Sequence, residues 1–98
     1  MRRTSSYNEE LSRRLRRPAY AREFITTLIE GDDGLSIEDA LRQVIQIMGV
    51  KEFAALSEMP SSNLVAFVKG RRSFKPETLN QLLMPFKLRT KIVLAEAA

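Results

Sequence analysis

Between Ser36 and Gly49 the apolar residues Ile37, Ala40, Leu41, Val44, Ile45 and Met48 recur close to the 3.6-residue period of an α-helix. Ser36 is a favourable N-cap, with Asp39 three residues on as a variant of the capping box, and Gly49 is the C′ stop. A helix patterned this way has one face that must be covered. Directly after it, without linkers, three short segments read as helices at about 50–57, 61–69 and 76–84. Their inward residues are Phe53, Ala54 and Leu56, then Leu64, Phe67 and Val68, then Leu79, Leu82 and Leu83. Pro76 opens the last at the N1 position and Pro85 closes it.

Upstream, Tyr7, Leu11 and Leu15 make a thin apolar stripe on a first helix at about 7–16, whose other face carries Arg13, Arg14, Arg16 and Arg17. Pro18 sits at N1 of a second helix. Its face is Tyr20, Ala21, Phe24, Ile25, Leu28 and Ile29, and the turn Gly31-Asp32-Asp33-Gly34 ends it. The tail changes period: Phe86, Leu88, Thr90, Ile92 and Leu94 alternate with Lys87, Arg89 and Lys91, which predicts a β-strand with one buried face. The expected architecture is all-α, five or six helices with a short C-terminal β-strand. The expected divisions are a flexible N-terminus at 1–6, N-terminal helices at 7–34, a core at 36–86, and a strand and tail at 87–98.

The 98 residues suit one domain at the marginal end of stability. There is no Cys and no His, which removes a disulfide scaffold, thiolate metal sites, Cys nucleophiles and the commonest general base. A carboxylate pair or a Ser/Lys site remains, so enzymes are demoted and a non-enzymatic role is expected. Asp32, Asp33, Glu38 and Asp39 lack calcium-loop spacing and read as turn and cap residues, so neither a metal nor a cofactor is expected. No apolar run approaches the roughly 20 residues of a membrane span, and no apolar segment comes after the basic Met1–Ser6 stretch. The expectation is a cytoplasmic protein without membrane contact. Charge is segregated: seven Arg against three Glu in 1–23 (+4), two basic residues against seven acids in 24–58 (−5), and seven against two in 59–98 (+5). Two basic segments around an acidic middle fit a polyanion, an acidic protein partner, or a merely solvated surface.

Residues 50–70 bear on this choice. A helix-turn-helix needs a small residue in the first helix for close crossing, an apolar plug in the turn, and two apolar anchors three apart in the second helix. Ala54, Met59, and Leu64 with Phe67 fill those places. Ser61, Ser62, Asn63, Val65 and Ala66 are left to face outward as base-contacting candidates. Asn63 has the chemistry to bond adenine bidentately, and Val65 and Ala66 suit thymine methyls. The bland readings are a helix cap for the polar residues and plain surface or a dimer contact for the apolar ones. Lys69, Arg71, Arg72 and Lys75 come directly afterwards, and with Lys51 they are candidate phosphate contacts. The four N-terminal arginines fit DNA backbone, an acidic protein patch, or neither. A lone strand at 86–94 needs a partner, so Leu88, Ile92 and Leu94 are candidates for pairing across a homodimer or onto a partner's sheet.

The stretch VKEFAALSEMPSSNLVAFVKG, residues 50–70, resembles the helix-turn-helix of phage Cro and repressor proteins, which implies a lambda-repressor-like fold and binding to double-stranded operator DNA. One position departs: Glu58 stands where those proteins usually carry Gly, which implies a turn that is either slightly different in geometry or strained by about 1 kcal/mol. More widely, residues 6–92 resemble the antitoxins of bacterial type II toxin–antitoxin operons, the addiction-module antidote group. Tyr7, Leu11, Leu15, Pro18 and Gly31-Asp32 match that group's N-terminal outline, and the helix at 77–88 its C-terminal one. Arg17 departs from the acidic residue common before the proline. The resemblance implies a homodimeric repressor of its own operon that also neutralises a RelE-like toxin. A free-standing repressor without a toxin, and a protein-interaction module that has lost DNA binding, are the alternatives.

Overall fold

The computed structural model describes residues 5–32, 34–91, 94 and 96, with side chains from Glu9 onward. The described residues form six α-helices: α1 (Ser5–Leu15), α2 (Pro18–Glu30), α3 (Ile37–Met48), α4 (Val50–Ser57), α5 (Ser61–Val68) and α6 (Pro76–Leu83), with a 3₁₀ turn at Met84–Phe86 after the last. The all-helical class and the order of elements agree with the apolar periodicity.

α3 is the hub. Its face of Ala40, Leu41, Val44, Ile45 and Met48 is buried, and α1, α2, α4 and α5 all pack on it. Ser36 caps it as expected, its Oγ accepting the Asp39 N–H at 3.1 Å. Glu38 and Asp39 in its first turn complement the positive end of its dipole. Leu11 and Leu15 of α1 and Ala21 and Ile25 of α2 close the core on one side. Phe53, Leu64, Phe67, Leu82, Leu83 and Phe86 close it on the other, with Phe53 and Phe86 tilted at 5.9 Å between ring centres. Each of these fully buried large side chains contributes about 1.5–3 kcal/mol. Among the described residues no buried side-chain polar atom lacks a partner.

Two expectations need correction. Leu56, assigned inward, is 40% exposed. The C-terminal strand is not formed in its described part, 86–91. Phe86 belongs to the 3₁₀ turn, and Lys87 takes a left-handed conformation (φ 59°). The Lys87 N–H then bonds the Met84 carbonyl at 2.8 Å and the Leu88 N–H bonds the Leu83 carbonyl at 3.2 Å, a Schellman closure. Leu88 packs half-buried on the core, and Asn80 Oδ1 accepts both the backbone N–H (2.7 Å) and the hydroxyl (3.0 Å) of Thr90. The apolar alternation is thus partly satisfied against the chain's own helices, which removes the need for a partner strand at Leu88 and Thr90. Leu94 is 93% exposed. The expectations for the N-terminal residues 1–4, the Tyr7 side chain, Asp33 and Ile92 lie outside the described residues.

Candidate nucleic-acid interface

α4 and α5 are eight residues each and pack against each other, with the small residue Ala54 of α4 half-buried on the core. Three residues, Glu58, Met59 and Pro60, join them. Glu58 is left-handed (φ 58°, ψ 34°), the conformation Gly would take there without strain. Neighbouring groups hold it in place. Gln81 of α6 donates its amide to the Ser57 carbonyl at 3.1 Å and, at a longer 3.4 Å, to that of Glu58, closing the last carbonyls of α4. Ser57, buried, donates its hydroxyl to the Phe53 carbonyl at 2.8 Å. Met59 is 6% exposed and plugs the turn, and Leu64 and Phe67 are fully buried anchors.

With Leu64 and Phe67 inward, Ser62, Val65 and Lys69 fall on the outward face of α5, and all three are exposed. Ser61 is exposed at the first position. Asn63 and Ala66 are only half-buried and occupy one flank. α5 carries no charged residue, its N-cap Pro60 supplies no side-chain acceptor, and its first turn holds no acid. The Asn63 N–H bonds the Pro60 carbonyl at 3.1 Å, and no carboxylate stands in the first turn to repel an anion.

The helix ends in a second Schellman closure. Gly70 is left-handed (φ 76°), its N–H bonds the Phe67 carbonyl at 3.0 Å, and the Arg71 N–H bonds the Ala66 carbonyl at 2.9 Å. The chain then doubles back, and Phe74 stacks on Phe67 with ring centres 4.7 Å apart and planes at 16°. Lys69, Arg71, Arg72 and Lys75 are all exposed on this loop, as is Lys51 in the first turn of α4.

The clearest gathering of predicted residues is Asn63 with Arg72. Arg72 Nη1 donates to Asn63 Oδ1 at 2.9 Å, and its guanidinium lies 5.6 Å from the Phe74 ring centre. Arg42 of α3 organises this corner and was not among the expected site residues. Its Nε donates to the Phe67 carbonyl at 2.7 Å, its Nη1 pairs with Asp39 at 2.9 Å, and Nη2 reaches the Arg72 carbonyl at 3.4 Å. The same guanidinium lies 4.4 Å from the centre of the Phe67 ring. The available signals were the lone cation of α3, and an aromatic residue set among the loop's cations.

The N-terminal arginines are partly neutralised. Arg14 pairs with Glu10 at 2.7 Å, and Arg16 bonds Glu52 of α4. The Tyr20 hydroxyl first, then Glu10, raise the pKa of Arg14 above its ordinary value, so its charge is constant at any physiological pH. Arg13 and Arg16 line an open groove with Glu9, Glu52, Ile47 and Met48. Its mixed charge suits no single partner. Among the described residues no cluster of acidic side chains is arranged to hold a metal ion, and no helix is long and apolar enough to cross a membrane. No protein-family model, characterised protein or solved structure matches the chain.

Proposed function

We propose that this protein is a sequence-specific DNA-binding transcriptional repressor. It acts as a homodimer on a short inverted repeat, and it is the antitoxin of a toxin–antitoxin pair that represses its own operon. The observation that carries the DNA-binding half is the α4–α5 pair: an uncharged helix with no acid in its first turn, with four exposed cations immediately after it. Ser61, Ser62, Asn63, Val65 and Ala66 supply hydrogen-bonding and apolar groups of the kind that read base edges in the major groove. Lys51, Lys69, Arg71, Arg72 and Lys75 supply phosphate neutralisation, each contact steepening the salt dependence of binding by about 0.9. Two such helices related by a two-fold axis would stand about 34 Å apart, one turn of DNA. The toxin-neutralising half rests on the resemblance of residues 6–92 to addiction-module antidote proteins.

Co-expression with the product of the adjacent small open reading frame, with a growth assay and co-purification, tests both halves when paired with binding to the upstream promoter. The expected result is growth arrest by the partner alone, rescue by this chain in a stable complex, and salt-sensitive promoter binding. Promoter binding without toxicity or complex would make the protein a free-standing repressor. A stable complex without DNA binding would make it an interaction module.

A further inference from the structure

We propose that Arg72 is a base-reading residue that recognises a guanine in each half-site, and that Asn63 positions its guanidinium for that contact. This rests on the DNA-binding reading above and changes the roles of two residues within it, Arg72 and Asn63. In sequence, Arg72 lies beyond the recognition helix, among cations whose bland use is phosphate neutralisation. In space its guanidinium is elsewhere. α5 spans Ser61–Val68, about 12 Å at 1.5 Å per residue. Asn63 is in its first turn, nine residues before Arg72, yet the two side chains meet at 2.9 Å. The loop reverses at Gly70, so the Arg72 side chain returns along the flank of α5. Its charge arrives at the N-terminal end, where recognition helices reach base edges.

The guanidinium is also oriented, which a phosphate contact does not require. Asn63 Oδ1 fixes Nη1, and the Phe74 ring lies 5.6 Å away. Phe74 is itself stacked on buried Phe67, and Arg42 holds the carbonyls of Phe67 and Arg72. The bond to Asn63 uses one of five guanidinium N–H donors, and the remainder keep the fork that matches O6 and N7 of guanine. The same bond occupies one lone pair of the Asn63 amide oxygen, the acceptor that a bidentate contact to adenine would use. Asn63 is therefore assigned to orienting Arg72 rather than to reading adenine itself.

The test uses the full-length protein. Binding sites are selected from a randomised duplex library, and each conserved guanine of the half-site is then replaced in turn. Affinity for each replaced site is compared with that for the selected site, for the wild type and for Arg72→Ala and Asn63→Ala. The ratio cancels general electrostatic effects. The wild type is expected to lose about 5- to 150-fold at one guanine per half-site. Arg72→Ala is expected to bring that ratio to about one while keeping the ratios at other positions. Asn63→Ala, which removes no charge, should lower the same ratio in part while keeping the ratios at other positions. Arg72 is exposed and Asn63 half-buried, and a thermal melt confirms that each variant is folded. Selected sites without a conserved guanine, or an Arg72→Ala protein that keeps every ratio, would overturn the proposal and leave DNA binding standing. Failure of the wild type to retain any duplex would overturn the DNA-binding reading together with it.

Discussion

Glu58 shows how much a single backbone position can cost and what compensates it. An L-residue in the left-handed region loses about 1–2 kcal/mol, and Glu58 stands there at φ 58°. The amide of Gln81 on the preceding carbonyl holds the turn closed. Glu58→Gly is therefore expected to stabilise the protein by about 1 kcal/mol, the relief of strain exceeding the added freedom of the unfolded chain. In a domain of this size that raises the melting temperature by about 4–8 °C, which calorimetry or a circular-dichroism melt will read. An unchanged or lower melting temperature would mean that the Glu58 conformation carries no strain. The position was legible in the residues as the place where a glycine belongs. Its compensation by Gln81 was not, because the partner lies 23 residues away in another helix.

At the scale of elements, α5 and the loop after it form one unit. The Schellman closure at Gly70 and the Phe67–Phe74 stack turn the loop back, and Arg72 returns beside the helix that precedes it. The charges stand on a surface without acids of its own along α5, so reversing them should replace attraction of phosphate by repulsion. Lys69→Glu combined with Arg71→Glu is expected to abolish promoter binding at physiological salt without changing the melting temperature by more than about 2 °C. Both side chains are exposed and make no ion pair among the described residues. Fluorescence anisotropy on a labelled promoter fragment checks this, and retained affinity would remove the loop from the interface. The helices themselves were readable to within a residue or two because apolar spacing and the breakers Pro18, Gly49, Gly70 and Pro76 agree with one another.

For the whole molecule, the proposed homodimer needs a surface on which two copies would meet. The tail contributes to its own core as far as Thr90, whereas Leu94 is almost wholly exposed. Removing residues 92–98 keeps the contacts of Leu88 and Thr90 and deletes Ile92 and Leu94. The truncated chain is expected to keep its helical far-ultraviolet spectrum, to fall from dimer to monomer mass in light scattering, and to bind its operator more weakly. An unchanged dimer mass would move the contact to another apolar surface. Leu56 and Met84, which line a shallow groove with Pro85 and Gln81, are the exposed apolar residues available for it.

Local patterning settled the helical class, the element order, the cap at Ser36, the anchors Leu64 and Phe67 and the plug Met59, because each depends on residues within one or two turns of chain. It failed at the tail. Alternation alone does not distinguish a strand from an extended segment seated on neighbouring helices, and the Schellman turn at Lys87 and the Asn80–Thr90 bonds chose the second for the described part. It also failed to reveal the Arg42–Phe67–Phe74–Arg72–Asn63 corner. Those contacts join residues up to 30 positions apart on α3, α5 and the loop, and no periodicity in the chain encodes a meeting that exists only once three elements are packed.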